Sequence, residues 1–272
     1  MADDLLVANG LVVSYERSRG LLARGPQSTT ILHGVDIRVG RGETVGIVGE
    51  SGSGKTTLGR ALLGLVRPAS GTVVFDGTTI NTLDERRRQP FRRRMQMIFQ
   101  DPMSSLNPRH TIGRILIEPI LLHGLAKNRG AALDLVYHVL DRVGLSRVSV
   151  DRYSYELSGG QRQRVGIARA VVLRPDFVLA DEIVSGLDVS TQAQVLQLLG
   201  ELKRDMNLSM AFISHDLSVV RAVCDRVYVL CEGRVVEEGR CEEVFQAPRH
   251  AYTRALIDAI PLPVIDPQWL AR

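Results

Sequence analysis

Gly49-Glu50-Ser51-Gly52-Ser53-Gly54-Lys55-Thr56-Thr57 is the stretch on which the fold turns. Gly49, Gly54, Lys55 and Thr56 fall on the G-x-x-x-x-G-K-[ST] spacing of a phosphate-binding loop. A glycine-rich turn could match these letters by chance, so the flanks decide. Residues 43–48 read as a buried strand and residues 58–66 are rich in helix formers, which supplies the strand–loop–helix context the motif needs. The small residues Ser51, Gly52 and Ser53 let backbone N–H groups converge on phosphates, and the following helix N-terminus adds partial positive charge. Lys55 is then placed to reach the β- and γ-phosphates, the Thr56 hydroxyl to ligate Mg²⁺, and Thr57 to complete the cradle. The chain reads as a binder of nucleoside triphosphate.

The rest of the sequence is compatible with a soluble core of that kind. Its 272 residues are 44% hydrophobic and 24% charged, enough to bury a sizeable core. The apolar runs near 112–122 and 170–173 are cut short by Arg114 and Arg174, well under the ~20 residues that span a bilayer. The start, Met1-Ala2-Asp3-Asp4, has no apolar signal region, so the expected location is cytosolic unless a partner holds the chain at a membrane. Net charge is +4, with Arg86-Arg87-Arg88 and Arg92-Arg93-Arg94 forming one basic cluster. It reads first as a solvated helix face, second as a contact for anionic lipid. Nucleic acid comes last, because no aromatic residues interleave with the arginines. Cys224, Cys231 and Cys241 are too widely spaced for a metal knuckle and fit buried thiols in a reducing compartment.

Strand character covers 5–13, 30–39, 45–48 and 72–75, with turn signals at Gly40-Arg41-Gly42, Gly71 and Asp76-Gly77. Helical periodicity occupies about 111–145, its second helix running from about 131 to 143. Beyond Ser158, helices at 161–173, 190–206 and 216–224 alternate with apolar strands at 177–180 and 210–213, and a hairpin closes across Glu232-Gly233. Such alternation implies a mainly parallel sheet covered on both faces, with the helical block near 95–160 as an inserted subdomain.

Two further motifs carry chemistry. Asp181-Glu182 ends an apolar strand. There Asp181 can hold Mg²⁺ through water and Glu182 can orient or deprotonate an attacking water. Leu157-Ser158-Gly159-Gly160-Gln161 is a capping box that opens a helix, and its bare glycines make the helix start an anion site as well as a simple cap.

These five residues resemble the signature of ATP-binding-cassette ATPases, and the order of motifs agrees across nearly the whole chain. The phosphate loop is followed by Gln100, the signature, Asp181-Glu182, Ser185-Gly186-Leu187-Asp188 and His215. The resemblance implies an α/β P-loop NTPase (RecA-like) core with an N-terminal antiparallel β subdomain and an inserted α-helical subdomain. The expected boundaries are 1–95 and 162–240 for the core, 96–161 for the helical subdomain and 241–272 for a tail. It further implies that Tyr15 stacks on adenine and that Gln100 meets Mg²⁺ and the water. Ser158, Gly159, Gly160 and Gln161 are expected at the γ-phosphate of ATP held by an opposing subunit. Asp188 is expected to cross the interface, and His215 to hydrogen-bond the γ-phosphate. Two positions depart from the common pattern: Ile183 stands where Pro is usual after the glutamate, and Gly186 where Ala is usual. Both bear on loop stiffness.

Residues 99–109, 189–195 and 249–256 are similar to the dipeptide/oligopeptide/nickel importer group, and most of all to its second, "F"-type ATPase subunit. That implies a related ATPase as dimer mate, two transmembrane permease subunits, an extracytoplasmic substrate-binding protein as indirect partner and the cytoplasmic face of the cell membrane as location. ATP and Mg²⁺ are the implied cofactors. No C-terminal cysteine cluster for iron–sulfur binding is expected. The resemblance implies an ATPase that powers import of di- and oligopeptides, with nickel chelates, glutathione, opines or other small solutes as alternative cargo and a soluble non-transport ATPase as the rival class.

Overall fold

The computed structural model describes residues 4–17, 27–101 and 105–259. One sheet contains β3 (Thr44–Val48), β6 (Met95–Ile98), β7 (Phe177–Asp181), β8 (Ser209–Ile213), β9 (Arg226–Cys231) and β10 (Arg234–Arg240), in the spatial order β10-β9-β3-β8-β7-β6. Every pairing is parallel except β10 on β9, the hairpin expected across Glu232-Gly233. A second, antiparallel sheet contains β1 (Asp4–Arg17), β2 (Gln27–Gly40), β4 (Ser70–Phe75) and β5 (Thr78–Thr79), in the order β2-β1-β4-β5.

β3, β7 and β8 are buried along their whole length, as continuous apolar runs between two layers require. The two-residue period of a strand then divides the core. Phe177, Leu179, Ala211, Ile213, Val45 and Ile47 face the antiparallel sheet together with Leu6, Leu11, Ile37 and Phe75. Val178, Ala180, Met210 and Phe212 face the other way and join one continuous cluster with Ile112, Leu116, Leu140 and Ile167 of the helical region. The sheets are tied by Tyr228, whose buried ring carries a hydroxyl that accepts the Arg38 N–H at 3.0 Å.

The helices are α1 (Lys55–Leu62), α2 (Glu85–Arg94), α3 (Ile112–Leu122), α4 (Arg129–Arg142), α5 (Gly159–Val171), α6 (Val189–Met206), α7 (Leu217–Val223), α8 (Cys241–Gln246) and α9 (Ala251–Asp258). Caps explain where their ends differ from the periodicity. α4 starts at Arg129 because the Asn128 side chain accepts the Ala131 N–H at 3.0 Å. α1 begins at Lys55, three residues before the apolar pattern, with Gly54 as its left-handed N-cap.

The basic cluster lies on α2, and much of its charge is spent inside the chain. Arg88 donates to the carbonyls of Gly64 and Leu83, Arg93 to that of Leu173, Arg92 to Glu85, and Arg94 to Asp76 and Asp176. Hence the solvated-face reading holds only for part of it. Half of these guanidinium groups hold backbone carbonyls or carboxylates that pin α2 against its neighbours.

Candidate functional site

The site is built at the C-terminal ends of β3 and β7, where parallel strands hand the chain to loops. Gly49 takes φ 148°, and a Cβ there would lie 2.1 Å from the Leu230 carbonyl oxygen. Only glycine lets β9 press so closely against the root of the phosphate loop. From the other side Gly233, at the β9–β10 turn, donates its N–H to the Ser53 carbonyl at 3.0 Å.

Within the loop, Lys55 is only 6% exposed and its ammonium donates to the carbonyls of Gly49 at 2.8 Å and Glu50 at 2.7 Å. Burial draws the Lys55 pKa below its ordinary value, while the charges of Glu182 and Asp181 pull it back. Asp181, at the end of β7, is 5% exposed. Burial raises its carboxyl above the usual range and the neighbouring Glu182 charge adds to this, with a hydrogen bond from the Thr56 side chain in opposition. Asp181 Oδ1 and Ser53 Oγ are buried and have no hydrogen-bond partner. An orphaned carboxylate oxygen beside a threonine hydroxyl is the donor set a hydrated Mg²⁺ ion takes, so these residues fit the metal.

Glu182 follows directly and holds a left-handed backbone at φ 48°, rare for a residue with a side chain. Its N–H donates to the Ile213 carbonyl at 2.9 Å, so the strand register still controls it. The side chain meets two other predicted residues. Gln100 Nε2 donates to Oε2 at 2.9 Å, and His215 Nδ1 stands 3.7 Å from Oε1. Ile183 and Val184 behind it are buried in the helical-side core. Packing thus supplies the rigidity that the missing proline would have given.

The remaining predicted residues occupy a different surface. Ser158 caps α5 through the expected box: the Gln161 N–H donates to Ser158 Oγ at 3.3 Å, and the Ser158 N–H to Gln161 Oε1 at 3.0 Å. Ser158 and Gly159 are exposed and Gly160 is half-buried. Asp188 is exposed and caps α6, accepting from Ser190 Oγ at 2.6 Å and from the Thr191 N–H at 2.9 Å. These bonds hold its carboxyl well below the usual carboxylate range. Tyr15 lies on β1, 42% exposed. Among the described residues, no hydrogen bond or ion pair joins Tyr15, Ser158 or Asp188 to Lys55, Asp181, Glu182 or His215.

Two contributors escaped the sequence reading. Arg169 of α5 lies over the Phe99 ring, 5.2 Å from its centroid, and donates to the Ser105 carbonyl, so the helix opened by Ser158 grips both flanks of the Gln100 loop. Tyr252 of α9 has its hydroxyl 2.9 Å from the Glu50 backbone nitrogen. Arg169 sits in no short motif; Tyr252 falls within the importer-like stretch 249–256, but only the packing brings it to the site. Of the stretch resembling importer ATPases, Pro102-Met103-Ser104 lie outside the described residues.

A family model described as "ABC transporter" matches residues 32–185. The chain belongs to that family. A second model, the C-terminal region of oligopeptide/dipeptide transporters, matches residues 236–271, of which 236–259 are described. A putative peptide import ATP-binding protein of Brucella ovis is 49% identical over 262 residues, covering 96% of this chain and 80% of the relative. The glutathione import ATP-binding protein GsiA of Salmonella typhimurium is 44% identical over 265 residues, covering 97% of this chain and 42% of that longer protein. Among solved structures, cbiO1 from Clostridium perfringens, part of an ABC transporter complex, matches with a TM-score of 0.76 at 28% identity, covering 90% of this chain and 92% of cbiO1. A dimeric ATP-binding cassette bound to ADP and phosphate matches with a TM-score of 0.73 at 27% identity, covering 87% of this chain and 98% of that one. This ABC cassette is an ATP-binding and ATP-hydrolysing protein. Among its described residues no helix is long and apolar enough to cross a membrane.

Proposed function

We propose that this cassette powers the import of di- and oligopeptides from the cytoplasmic face of the cell membrane. Its mates in this reading are a related ATPase subunit, two permease subunits and, indirectly, an extracytoplasmic binding protein. The observation that carries the catalytic half is Glu182, set beside Asp181 at the end of β7 with Gln100 and His215 at its two oxygens. Peptide cargo rests on the likeness to the Brucella protein and to the oligopeptide/dipeptide C-terminal region. The GsiA likeness favours a second reading, in which the solute is glutathione or another small molecule.

In this reading the loop 49–57 cradles the phosphates of ATP and Lys55 exchanges its carbonyl partners for phosphate oxygens. Thr56 and Asp181 would hold Mg²⁺, with Gln100 at its margin, and the ion supplies neutralisation of the charge that grows on the phosphates. Glu182 orients the attacking water and takes its proton. His215 donates to the γ-phosphate, and Tyr15 stacks on adenine. Ser158, Gly159, Gly160 and Gln161 complete the site of the partner ATPase, and Asp188 crosses to it. The helical subdomain, 96–161, moves relative to the core, 1–95 and 162–240, as ATP is bound and released, while the C-terminal tail, 241–272, keeps α8 and α9 packed on the core.

A permease contact is supported by a groove of about 570 Å³ beside the Gln100 loop. Leu65, Phe91, Phe99 and Pro119 give it an apolar wall, and Arg92 and Glu118 stand among the polar residues that line the rest. Recovery of the tagged chain from detergent-solubilised native membranes, followed by mass spectrometry, tests the whole reading. Two multi-span proteins and a second ATPase are expected. Recovery with soluble partners alone would refute the transporter role and leave the ATPase chemistry standing.

A further inference from the structure

One peptide unit of the phosphate loop has both of its polar atoms engaged. The carbonyl of Gly49 and the N–H of Glu50 belong to the same planar amide. The oxygen accepts the Lys55 ammonium at 2.8 Å, and the N–H donates to the Tyr252 hydroxyl at 2.9 Å. Rotating this plane would break both bonds. Tyr252 therefore stands two hydrogen bonds from the lysine that meets phosphate, although it lies on α9, 202 residues along the chain from Glu50.

α9 is itself held firmly. Glu237 of β10 accepts the N–H groups of Arg249 at 2.7 Å and His250 at 3.0 Å, just ahead of the helix. Arg254 donates back to the carbonyls of Pro248 and Arg249. On the inner side Leu256 and Ile257 pack against the core cluster that holds Val48, Val227 and Val229, with Thr253 lining the same small cavity, and Val48 is the residue immediately before Gly49. So the helix is anchored against the strand that launches the loop. Burial raises the pKa of the Tyr252 phenol above its ordinary value.

We infer that Tyr252 is a positioning residue for the phosphate loop: its hydroxyl fixes the Gly49–Glu50 amide and thereby the starting position of Lys55. The inference rests on the reading of residues 49–57 as the ATP site and extends it to a residue on α9 that touches no phosphate itself. Docked, α9 leaves the loop preorganised for ATP. Freed of the Tyr252 hydroxyl, the amide samples other orientations and ATP must restore the bound one at a cost in affinity.

The test is Tyr252→Phe in the full chain, with MgATP affinity measured by calorimetry and thermal stability in the absence of nucleotide measured alongside. Loss of a single neutral hydrogen bond corresponds to a roughly 3- to 10-fold weaker Kd for ATP. The expected result is that weakening with an unchanged Tm. An unchanged Kd overturns the inference. So does a weaker Kd accompanied by a clear fall in Tm, since that would make Tyr252 a support of the fold alone. Lys55→Ala, measured in parallel, separates the two readings. If it loses ATP affinity while Tyr252→Phe does not, only the role of Tyr252 is lost. If Lys55→Ala binds ATP normally, the phosphate-loop reading and this inference fall together.

Discussion

The phosphate-loop surface and the signature surface use the same kind of element, a glycine-softened helix start, in opposite ways. At the first, α1 begins at Lys55 beside Asp181, both almost wholly buried, with neighbours from β9, the β9–β10 turn, α9 and the Gln100 loop closing in. At the second, Ser158 caps α5 on an open face, its box bonds made within the turn, and nothing lies within 4 Å of where a Gly159 Cβ would be. The first surface is a finished half-site under electrostatic load. The second is an exposed helix start whose cap is made within its own first turn, and the proposed function makes it the anion-binding end offered to a partner. The contrast is what one expects of a composite site whose halves are joined when two cassettes meet.

The largest effect that sharpens this contrast is at Glu182. Glu182→Gln should retain ATP binding and lose about 10²- to 10⁴-fold in turnover, read as steady-state phosphate release from the assembled transporter. Undiminished release would remove Glu182 from the mechanism. Next comes Ser158→Ala, expected to leave the ATP affinity of the isolated chain unchanged while lowering turnover of the assembly by at least about tenfold, a loss the removal of one hydrogen bond to a charged group can produce. If it weakened ATP binding by the isolated chain, the two surfaces would not be separate.

Asp181→Asn tests the electrostatic load directly. Because burial raises the Asp181 pKa in the folded chain, its ionised form is disfavoured there. Neutralising it should raise the Tm of the nucleotide-free protein by about 4 °C at neutral pH, a typical return for relieving strain at a functional group in a chain of this size. The gain should shrink as pH falls through the folded-state pKa, where the native carboxyl is itself neutral. A lower Tm at pH 7 would show that Asp181 is stabilised by its surroundings after all. The smallest effect is at Gly186, which takes φ 76° with open space where a Cβ would go. Gly186→Ala should therefore cost about 1–2 kcal/mol through backbone strain and nothing through a clash. A cost near zero, measured by chemical denaturation, would mean the loop relaxes to suit alanine.

What could be read in the sequence was whatever is local. The phosphate loop, the Ser158–Gln161 box and the strand ending in Asp181-Glu182 are each complete within a few residues, and the structure folds them as read. Parallel strands announced themselves because both of their faces are buried. The engagement of Arg88, Arg93 and Arg94 was not legible, since a run of arginines looks the same whether its donors meet water or the chain's own carbonyls. Arg169 and Tyr252 were hidden for a related reason. Their pairing with Ser105 and Glu50 is set by tertiary packing, which the local stretches holding those residues do not announce.

The position of β3 bears on how the molecule comes into being. Its hydrogen-bond partners are β8 and β9, so residues 44–48, buried throughout, find their neighbours only when residues 209–231 have been made. On the ribosome this strand emerges ahead of both partners and waits unpaired while residues 49–208 are made. Contacts this distant close slowly and leave nascent chains open to misassociation. The loop that carries Lys55 hangs from that waiting strand. Competence to hold ATP accordingly waits on residues 209–231, and a chain that stalls before β8 would leave this strand without either hydrogen-bond partner.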